Sequence, residues 1–185
     1  MARIPAATRE TVPQDQVAEF DQMVESLGGV PAYGPGSVMI HVPKAHQAST
    51  ALNQYLRNES SLPGAALELS MLLAAREYDC QHIWNAHAGA ARAAGVQDAV
   101  VDAIRDRDEL PELTDLERAV INYAREFFEY RRVGRGAFQD ALEQFGRQGL
   151  IELTLVIGNY SFLAFVINAF DPDLPPNRTE PLLPG

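Results

Sequence analysis

The sequence predicts an all-α protein of about eight helices, in a single domain over residues 1–185. Apolar residues recur at three- and four-residue steps in several segments, which is the period of an amphipathic helix. Capping residues, prolines and glycines mark helix starts and stops between these segments. No segment of useful length alternates apolar and polar residues as a β-strand would.

The first half of the chain is predicted to begin with an extended arm, residues 1–13, which contains two prolines. Apolar residues three and four apart, beginning at Val17, predict a helix over 15–27 that two glycines close. Residues 28–37, GGVPAYGPGS, are expected to form a turn-rich link. Three further helices are predicted over residues 43–58, 65–77 and 80–94.

Local signals set the boundaries of these helices. Pro43 suits a first-turn position, and Pro63 with the following glycine opens the next helix. Asp79 is the expected N-cap of the helix over 80–94, and Gly95 closes it. The helix over 65–77 should contribute core residues: Leu67, Met71 and Leu72.

The second half repeats this organisation. Thr114 and Glu117 form a capping-box pattern at the start of a helix that runs to about Tyr130. Gly146 and Gly149 are expected to separate the last two helices. The predicted elements of this half are helices over 97–106, 114–130, 137–145 and 150–170 and a proline-rich tail over 172–185.

Charge and cysteine content exclude several classes of protein. Fifteen basic against twenty-five acidic side chains give a net charge of −10, which argues against binding to nucleic acid or to anionic membranes. The single cysteine cannot form an internal disulfide, so the fold does not require an oxidising compartment. With no apolar signal-peptide segment at the N-terminus, the cytoplasm is the expected location.

The segment 150–170, LIELTLVIGNYSFLAFVINAF, is apolar enough to be considered for a membrane. It carries Glu152, Asn159 and Asn168, and a carboxylate in hydrocarbon is costly. A helix buried within protein is the better interpretation. Because it is apolar on most of its circumference, burial between subunits of a homo-oligomer is expected.

Residues 79–87, DCQHIWNAH, hold the only cysteine, the only tryptophan and two of the four histidines. On a helix, one face carries Cys80, Ile83, Trp84 and His87. Backbone N–H groups and the helix dipole at Cys80 would lower the pKa of its thiol, whereas the neighbouring carboxylate opposes this. The alternative is structural, since a cysteine on an apolar stripe is commonly a small core residue.

The stretch ELSMLLAAREYDCQHIWNAHAGAARAAGV, residues 68–96, resembles the carboxymuconolactone decarboxylase and alkylhydroperoxidase D superfamily. The peroxidase branch has a glutamate twelve residues before a Cys-x-His-Cys-x-x-x-His helix, followed by Ala-Gly. Four residues match positions of that proton relay: Glu68, Cys80, His82 and His87. Weaker likeness extends through HVPKAH and into the IGNY segment. The resemblance implies an AhpD-like helical bundle that assembles as a homotrimer or homohexamer.

Ile83 departs from the family pattern. It replaces the second cysteine of the peroxidase branch and also the glutamate of the Glu-Trp-x-x-His version, of which Trp84 and His87 remain. A sulfenate formed at Cys80 could not close an internal disulfide and would need an external thiol. The two-cysteine peroxidase cycle is therefore excluded by composition.

The remaining carboxylate, thiol and imidazoles suit acid–base chemistry without a cofactor on a small carboxylated or lactone-like substrate. Glu68 and His87 are the candidate proton carriers, Cys80 a polarising or nucleophilic group, and His82 a supporting residue. Three further residues are candidates for the substrate pocket: Ile83, Trp84 and Tyr160. Two alternatives stay open, a one-cysteine thiol peroxidase and a family member in which the motif only packs. For Tyr160, core packing is the competing role.

A metal site is the weaker interpretation of the four histidines. His41 and His46 are five residues apart, as are His82 and His87. On a helix this spacing separates two side chains by about 140°, which is poor geometry for joint ligation. No metal is therefore expected, although a site shared between subunits stays open. No phosphate loop, serine nucleophile elbow or dinucleotide fingerprint occurs.

Overall fold

The computed structural model describes residues 2–178 and 180–184, and within them it is helical with no β-strand. The predicted all-α fold is confirmed. A 3₁₀ turn, Gln14–Gln16, precedes the first α-helix. The α-helices are α1 Val17–Leu27, α2 Gly34–Met39, α3 Pro43–Asn58, α4 Gly64–Glu77, α5 Gln81–Ala93, α6 Asp98–Asp106, α7 Asp115–Tyr130 and α8 Arg135–Phe170.

Helix α4 lies at the centre of the main core. Its sequence, GAALELSMLLAARE, is apolar on most sides, and it packs against α5, α7 and α8. The predicted core residues Leu67, Met71 and Leu72 are all buried. A smaller cluster beneath the N-terminal segment contains Phe20 and Ile40. Burial of α4 on several sides is what brings residues from three helices to one place.

One helix was not predicted. The segment expected to be a turn-rich link contains α2, a short helix that starts after the extended residue Tyr33 and has Pro35 in its first turn. Gly34 has φ +69°, the left-handed region that favours glycine. The six residues of this helix include two glycines and a proline, which have the lowest helix propensities, so helix propensity does not predict it.

Helix α8 is long and apolar enough to span a membrane by length and composition, but 61% of its most apolar window is buried within the chain. It therefore packs as a core helix, in line with the sequence interpretation. Gly146 interrupts it at φ +67° and ψ 179°, so the predicted break occurs there. At Gly149 the helix continues, and this residue is buried against the loop before α4.

Glu152 on α8 is hydrogen-bonded to the end of α3 and to the loop between α3 and α4. Its side chain is 2% exposed and accepts hydrogen bonds from Ser61 N (2.8 Å), Ser61 Oγ (2.6 Å) and Tyr55 Oη (2.7 Å). Gln148 Nε2 donates a fourth bond at 3.0 Å. The carboxylate is thus satisfied within the chain and does not require the subunit interface that the sequence suggested.

The two terminal segments, predicted as an extended arm and a proline-rich tail, pack on the helices. Arg3 N donates to Phe170 O at 3.1 Å, and Ala7 and Val12 are buried. At the other end, Leu183 inserts into the main core. Met1, Thr179 and Gly185, which belong to the predicted arm and tail, lie outside the described residues.

The capping-box signal was correct at α7, and the N-cap signal was wrong at α5. Thr114 and Glu117 form the predicted capping box. At α5, however, the N-cap residue is Cys80 and not Asp79. Asp79 adopts a left-handed conformation at φ 48° and forms ion pairs with Arg76 and Arg107. Helix α5 therefore begins one residue later than the N-cap preference of aspartate predicts.

Candidate active site

Glu68 and His87 form a hydrogen-bonded pair at the edge of the core. His87 Nδ1 lies 2.7 Å from Glu68 Oε2, and the two side chains are 8% and 12% exposed. Glu68 is contributed by α4 and His87 by α5, which pack closely along their length. The carboxylate fixes Nδ1 as the donor and leaves Nε2 to exchange a proton. This is the arrangement of a general base held by a carboxylate.

Tyr160 of α8 completes this group. Its ring meets that of His87 edge-on, with centroids 5.1 Å apart and an interplanar angle of 86°. Burial raises the pKa of Tyr160 to about 12; the charge of Arg57 opposes this shift and that of Glu68 adds to it. The hydroxyl is therefore neutral at physiological pH and can act as a hydrogen-bond donor. The predicted pocket residue does lie against the predicted proton carrier.

Cys80 is placed differently from the expectation. It is fully buried and is the N-cap residue of α5, where its side chain makes no capping hydrogen bond. Burial raises the pKa of its thiol, and the backbone N–H groups of Ile83 and His82 oppose this without outweighing it. Of the opposing effects on this pKa, desolvation of a thiolate in the core exceeds the lowering by backbone N–H groups. Seven helical residues also separate Cys80 from His87 by about 10 Å along the axis.

His82 does not join the Glu68–His87 pair. It packs against α2, where a Cβ on Gly34 would lie 2.4 Å from His82 Nε2, so only glycine permits this contact. Its Nδ1 is buried without a hydrogen-bond partner among residues 2–178 and 180–184. Burial lowers the pKa of His82, and the charge of His87 adds to the effect. The side chain borders a separate cleft of about 270 Å³ beside the C-terminal end of α8.

Ile83 and Trp84 lie in the main core, at 3% and 1% exposure. Trp84 Nε1 donates a hydrogen bond to Pro181 O at 3.0 Å. Gln81 forms a pair of bonds with the backbone of Leu183, each 2.9 Å long. The C-terminal segment 180–184 thus covers this face of α5, a contact that no signal in the sequence indicated.

The described residues contain no group of three or more histidine, cysteine or acidic side chains that could hold a metal ion. His41 Nε2 and His46 Nδ1 are buried and have no hydrogen-bond partner in the described part of the chain. His41 lies in the turn between α2 and α3, and His46 lies in the first turn of α3.

Arg57 was not anticipated from the sequence. It lies in the last turn of α3, one turn after Asn53, which accepts a hydrogen bond from Asn159 Nδ2 at 3.2 Å. Its charge reaches the Tyr160 hydroxyl, whose pKa it moves downward against burial. In the sequence, the only indication of Arg57 is that it follows Asn53 by four residues, which places both on one face of α3. This spacing becomes informative only once α3 is known to lie along α8.

Comparison with solved structures identifies the fold. The chain is similar to an alkylhydroperoxidase AhpD core from Ralstonia eutropha JMP134, an uncharacterised peroxidase-related protein. The match has a TM-score of 0.70 at 16% identity and covers 95% of this chain and 93% of that one. An uncharacterised peroxidase-related protein from Silicibacter sp. TM1040 matches at TM-score 0.64 and 17% identity, over 93% and 91% of the two chains.

A third similar structure is the debrominase Bmp8, as a cysteine-to-alanine variant in complex with 2,3,4-tribromopyrrole. Its TM-score is 0.63 at 16% identity, over 92% of this chain and 90% of that one. No protein-family model and no curated protein sequence matches the chain. The chain therefore has the AhpD-like fold. The resemblance predicted from residues 68–96 is confirmed at the level of the fold.

Proposed function

We propose that this protein is a cofactor-independent acid–base enzyme of the carboxymuconolactone decarboxylase type. The observation that carries the proposal is the 2.7 Å contact between Glu68 Oε2 and His87 Nδ1, at an edge of the core where both side chains keep slight exposure. A carboxylate that accepts Nδ1–H holds the ring in one tautomer and leaves Nε2 free to take up a proton.

The substrate class follows from the chemistry of this pair. His87 Nε2 would take a proton from a carbon next to a carbonyl group and return it elsewhere on the same molecule. In a decarboxylation, Nε2 would first take up a proton from water and then deliver it to the carbanion left after CO₂ departs. Glu68 would hold the ring in place, and the neutral Tyr160 hydroxyl would donate a hydrogen bond to a developing oxyanion. Small lactones and organic acids meet these requirements. The fold accommodates small cyclic ligands, since Bmp8 is known in complex with a bromopyrrole.

The one-cysteine peroxidase is less well supported. A peroxidatic cysteine must be a thiolate that peroxide can reach. Cys80 is fully buried and its pKa is raised by that burial. We therefore propose a packing role for Cys80, and we assign Ile83 and Trp84 to the wall behind the site and not to direct contact with substrate.

We also propose that the protein is a homo-oligomer, a trimer or hexamer. Helix α8 presents a stripe of exposed apolar residues with heptad-like spacing: Ile151, Leu155, Phe162 and Phe165. Such a stripe is costly in water and is typical of a helix that packs against another. The fold places this stripe on the side of α8 opposite its buried residues.

The experiment is a turnover assay on a panel of small carboxylated lactones and β-keto acids, followed by ultraviolet absorbance and CO₂ release. Glu68→Gln and His87→Ala should each reduce turnover by about 10²- to 10⁴-fold, the usual contribution of a general base. Cys80→Ala should retain turnover. Peroxide consumption that requires Cys80 would favour the peroxidase. Loss of stability in the variants, with no turnover by any of the proteins, would favour a packing role for the motif.

A further inference from the structure

A second cleft, which shares no residue with the Glu68–His87 pair, lies between α4, α6 and α7. Its volume is about 710 Å³, within the range of small-molecule sites. Arginines from three different elements line it: Arg76 on α4, Arg107 just after α6 and Arg125 on α7. In a chain of net charge −10, the meeting of three guanidinium groups at one cleft calls for a physical explanation.

Arg76 carries an unused donor at the wall of this cleft. Its side chain is only 11% exposed, and one terminal nitrogen forms an ion pair with Asp79. Its Nε is buried and has no hydrogen-bond partner in the described part of the chain. A buried N–H that lacks an acceptor destabilises the fold, and in native proteins such a group commonly meets a water or a ligand.

Of the other two arginines, Arg125 supplies charge that can be used. Arg107 is already paired, since its Nη2 lies 3.3 Å from Asp79 and donates to Arg76 O at 3.4 Å. Arg125 is exposed and forms no ion pair with any described residue. Guanidinium groups bind carboxylates through paired N–H donors, so Arg76 and Arg125, which both line the cleft, suit a planar anion.

The other residues that line the cleft limit how much negative charge a ligand can carry and favour a ligand with an apolar part. Glu77 and Glu129 also border the cleft, which disfavours ligands with two or more negative charges. Leu73, Ile104 and Phe128 form an apolar wall. We propose that this cleft binds a small organic monocarboxylate, with its carboxylate against Arg76 and Arg125 and its apolar body against this wall. The proposal is independent of the acid–base function.

Isothermal titration of the full-length protein with benzoate, benzamide and inorganic phosphate tests the proposal. Benzoate should bind at one site per chain, and neutral benzamide and inorganic phosphate should bind at least about tenfold more weakly, since a hydrogen-bonded charge pair is lost or a repulsive charge is added. Arg125→Gln should raise the Kd for benzoate about tenfold. Arg76→Lys, which keeps the charge and removes the planar pair of N–H donors, should do the same. Arg132→Gln, at an exposed arginine outside the cleft, should leave the Kd unchanged.

Several results would overturn the proposal. Equal binding of benzoate and benzamide would remove the role of the carboxylate. A benzoate Kd that responds to Glu68→Gln but not to Arg125→Gln would place the anion at the other site. Failure of benzoate to bind, together with a change in molar mass of Arg125→Gln by light scattering, would identify the cleft as a contact between copies. Circular dichroism melting of each variant checks that the fold is retained.

Discussion

Glu68 Oε2 and His87 Nδ1 are 2.7 Å apart, although nineteen residues separate them in the chain. The contact requires α4 and α5 to pack side by side, and it fixes which ring nitrogen carries the proton. Long-range ¹⁵N NMR should therefore report neutral His87 as the Nδ1–H tautomer. Glu68→Ala should shift the ring towards the Nε2–H form, whereas Glu77→Ala, at an exposed glutamate of the same helix, should not. An Nε2–H tautomer in the unaltered protein would contradict the arrangement.

The thiol of Cys80 should react slowly in the folded protein. It is fully buried and its pKa is raised by desolvation, so little thiolate forms near neutral pH and reagents cannot reach it. Labelling with Ellman's reagent at pH 7 should proceed at the rate of unfolding and become fast in denaturant. Cys80→Ala provides the blank. Rapid labelling of the native protein would contradict the burial of Cys80 and would favour the one-cysteine peroxidase.

Glu152 should make the stability of the protein depend on pH in the acid range. Burial by itself would raise its pKa, but hydrogen bonds from Ser61, Gln148 and Tyr55 outweigh burial and lower it to about 2 from the ordinary 4.5. A lowered pKa in the folded state gives stability that is present above pH 4.5 and is lost as the pH falls towards 2. The shift corresponds to about 3 kcal/mol.

Denaturant unfolding of Glu152→Gln at several pH values measures this contribution. At pH 7 the variant should be about 2–3 kcal/mol less stable, because an amide cannot accept all four hydrogen bonds. The difference from the unaltered protein should shrink below pH 4.5. Glu143→Gln, at an exposed glutamate of the same helix, is the matched control and should show no such dependence. A pH-independent difference would refute the assignment to the carboxylate.

The C-terminal segment should contribute to stability through one residue. Leu183 is 4% exposed and belongs to the main core, whereas its neighbour Leu182 is only partly buried. Leu183→Ala should lower the free energy of unfolding by about 2–4 kcal/mol, the usual effect of truncating a buried leucine. Leu182→Ala should cost clearly less. The fluorescence of Trp84, whose Nε1 bonds to this segment, reports its release. Equal effects of the two substitutions would contradict the insertion of Leu183.

The exposed stripe of α8 predicts the effect of a charge on assembly. Phe165 is 61% exposed, so Phe165→Asp should preserve the fold and dissociate the oligomer, which light scattering measures as a fall in molar mass. Phe138→Asp, at an exposed phenylalanine before the break at Gly146, is the control. If Phe165→Asp leaves the molar mass unchanged, or if the unaltered protein is already a monomer, the proposed interface is wrong.

Local patterns in the sequence predicted most of the helices and several of their boundaries. The capping box at Thr114, the first-turn proline at Pro43 and the break at Gly146 act within a few residues, so the chain itself carries that information. The spacing of Glu68, Cys80, His82 and His87 pointed to the fold, and the solved structures of similar fold agree. The helix α2 was missed because glycine and proline signal turns more often than helices.

Only the tertiary structure decided which of these four side chains lie together. Glu68 meets His87 because α4 packs along α5, whereas His82 turns towards Gly34 on α2 and Cys80 is sealed in the core. Helical spacing fixes directions around one axis but not what lies opposite each face. Burial likewise decided the direction of the Cys80 pKa, because desolvation depends on the neighbours that the whole fold supplies.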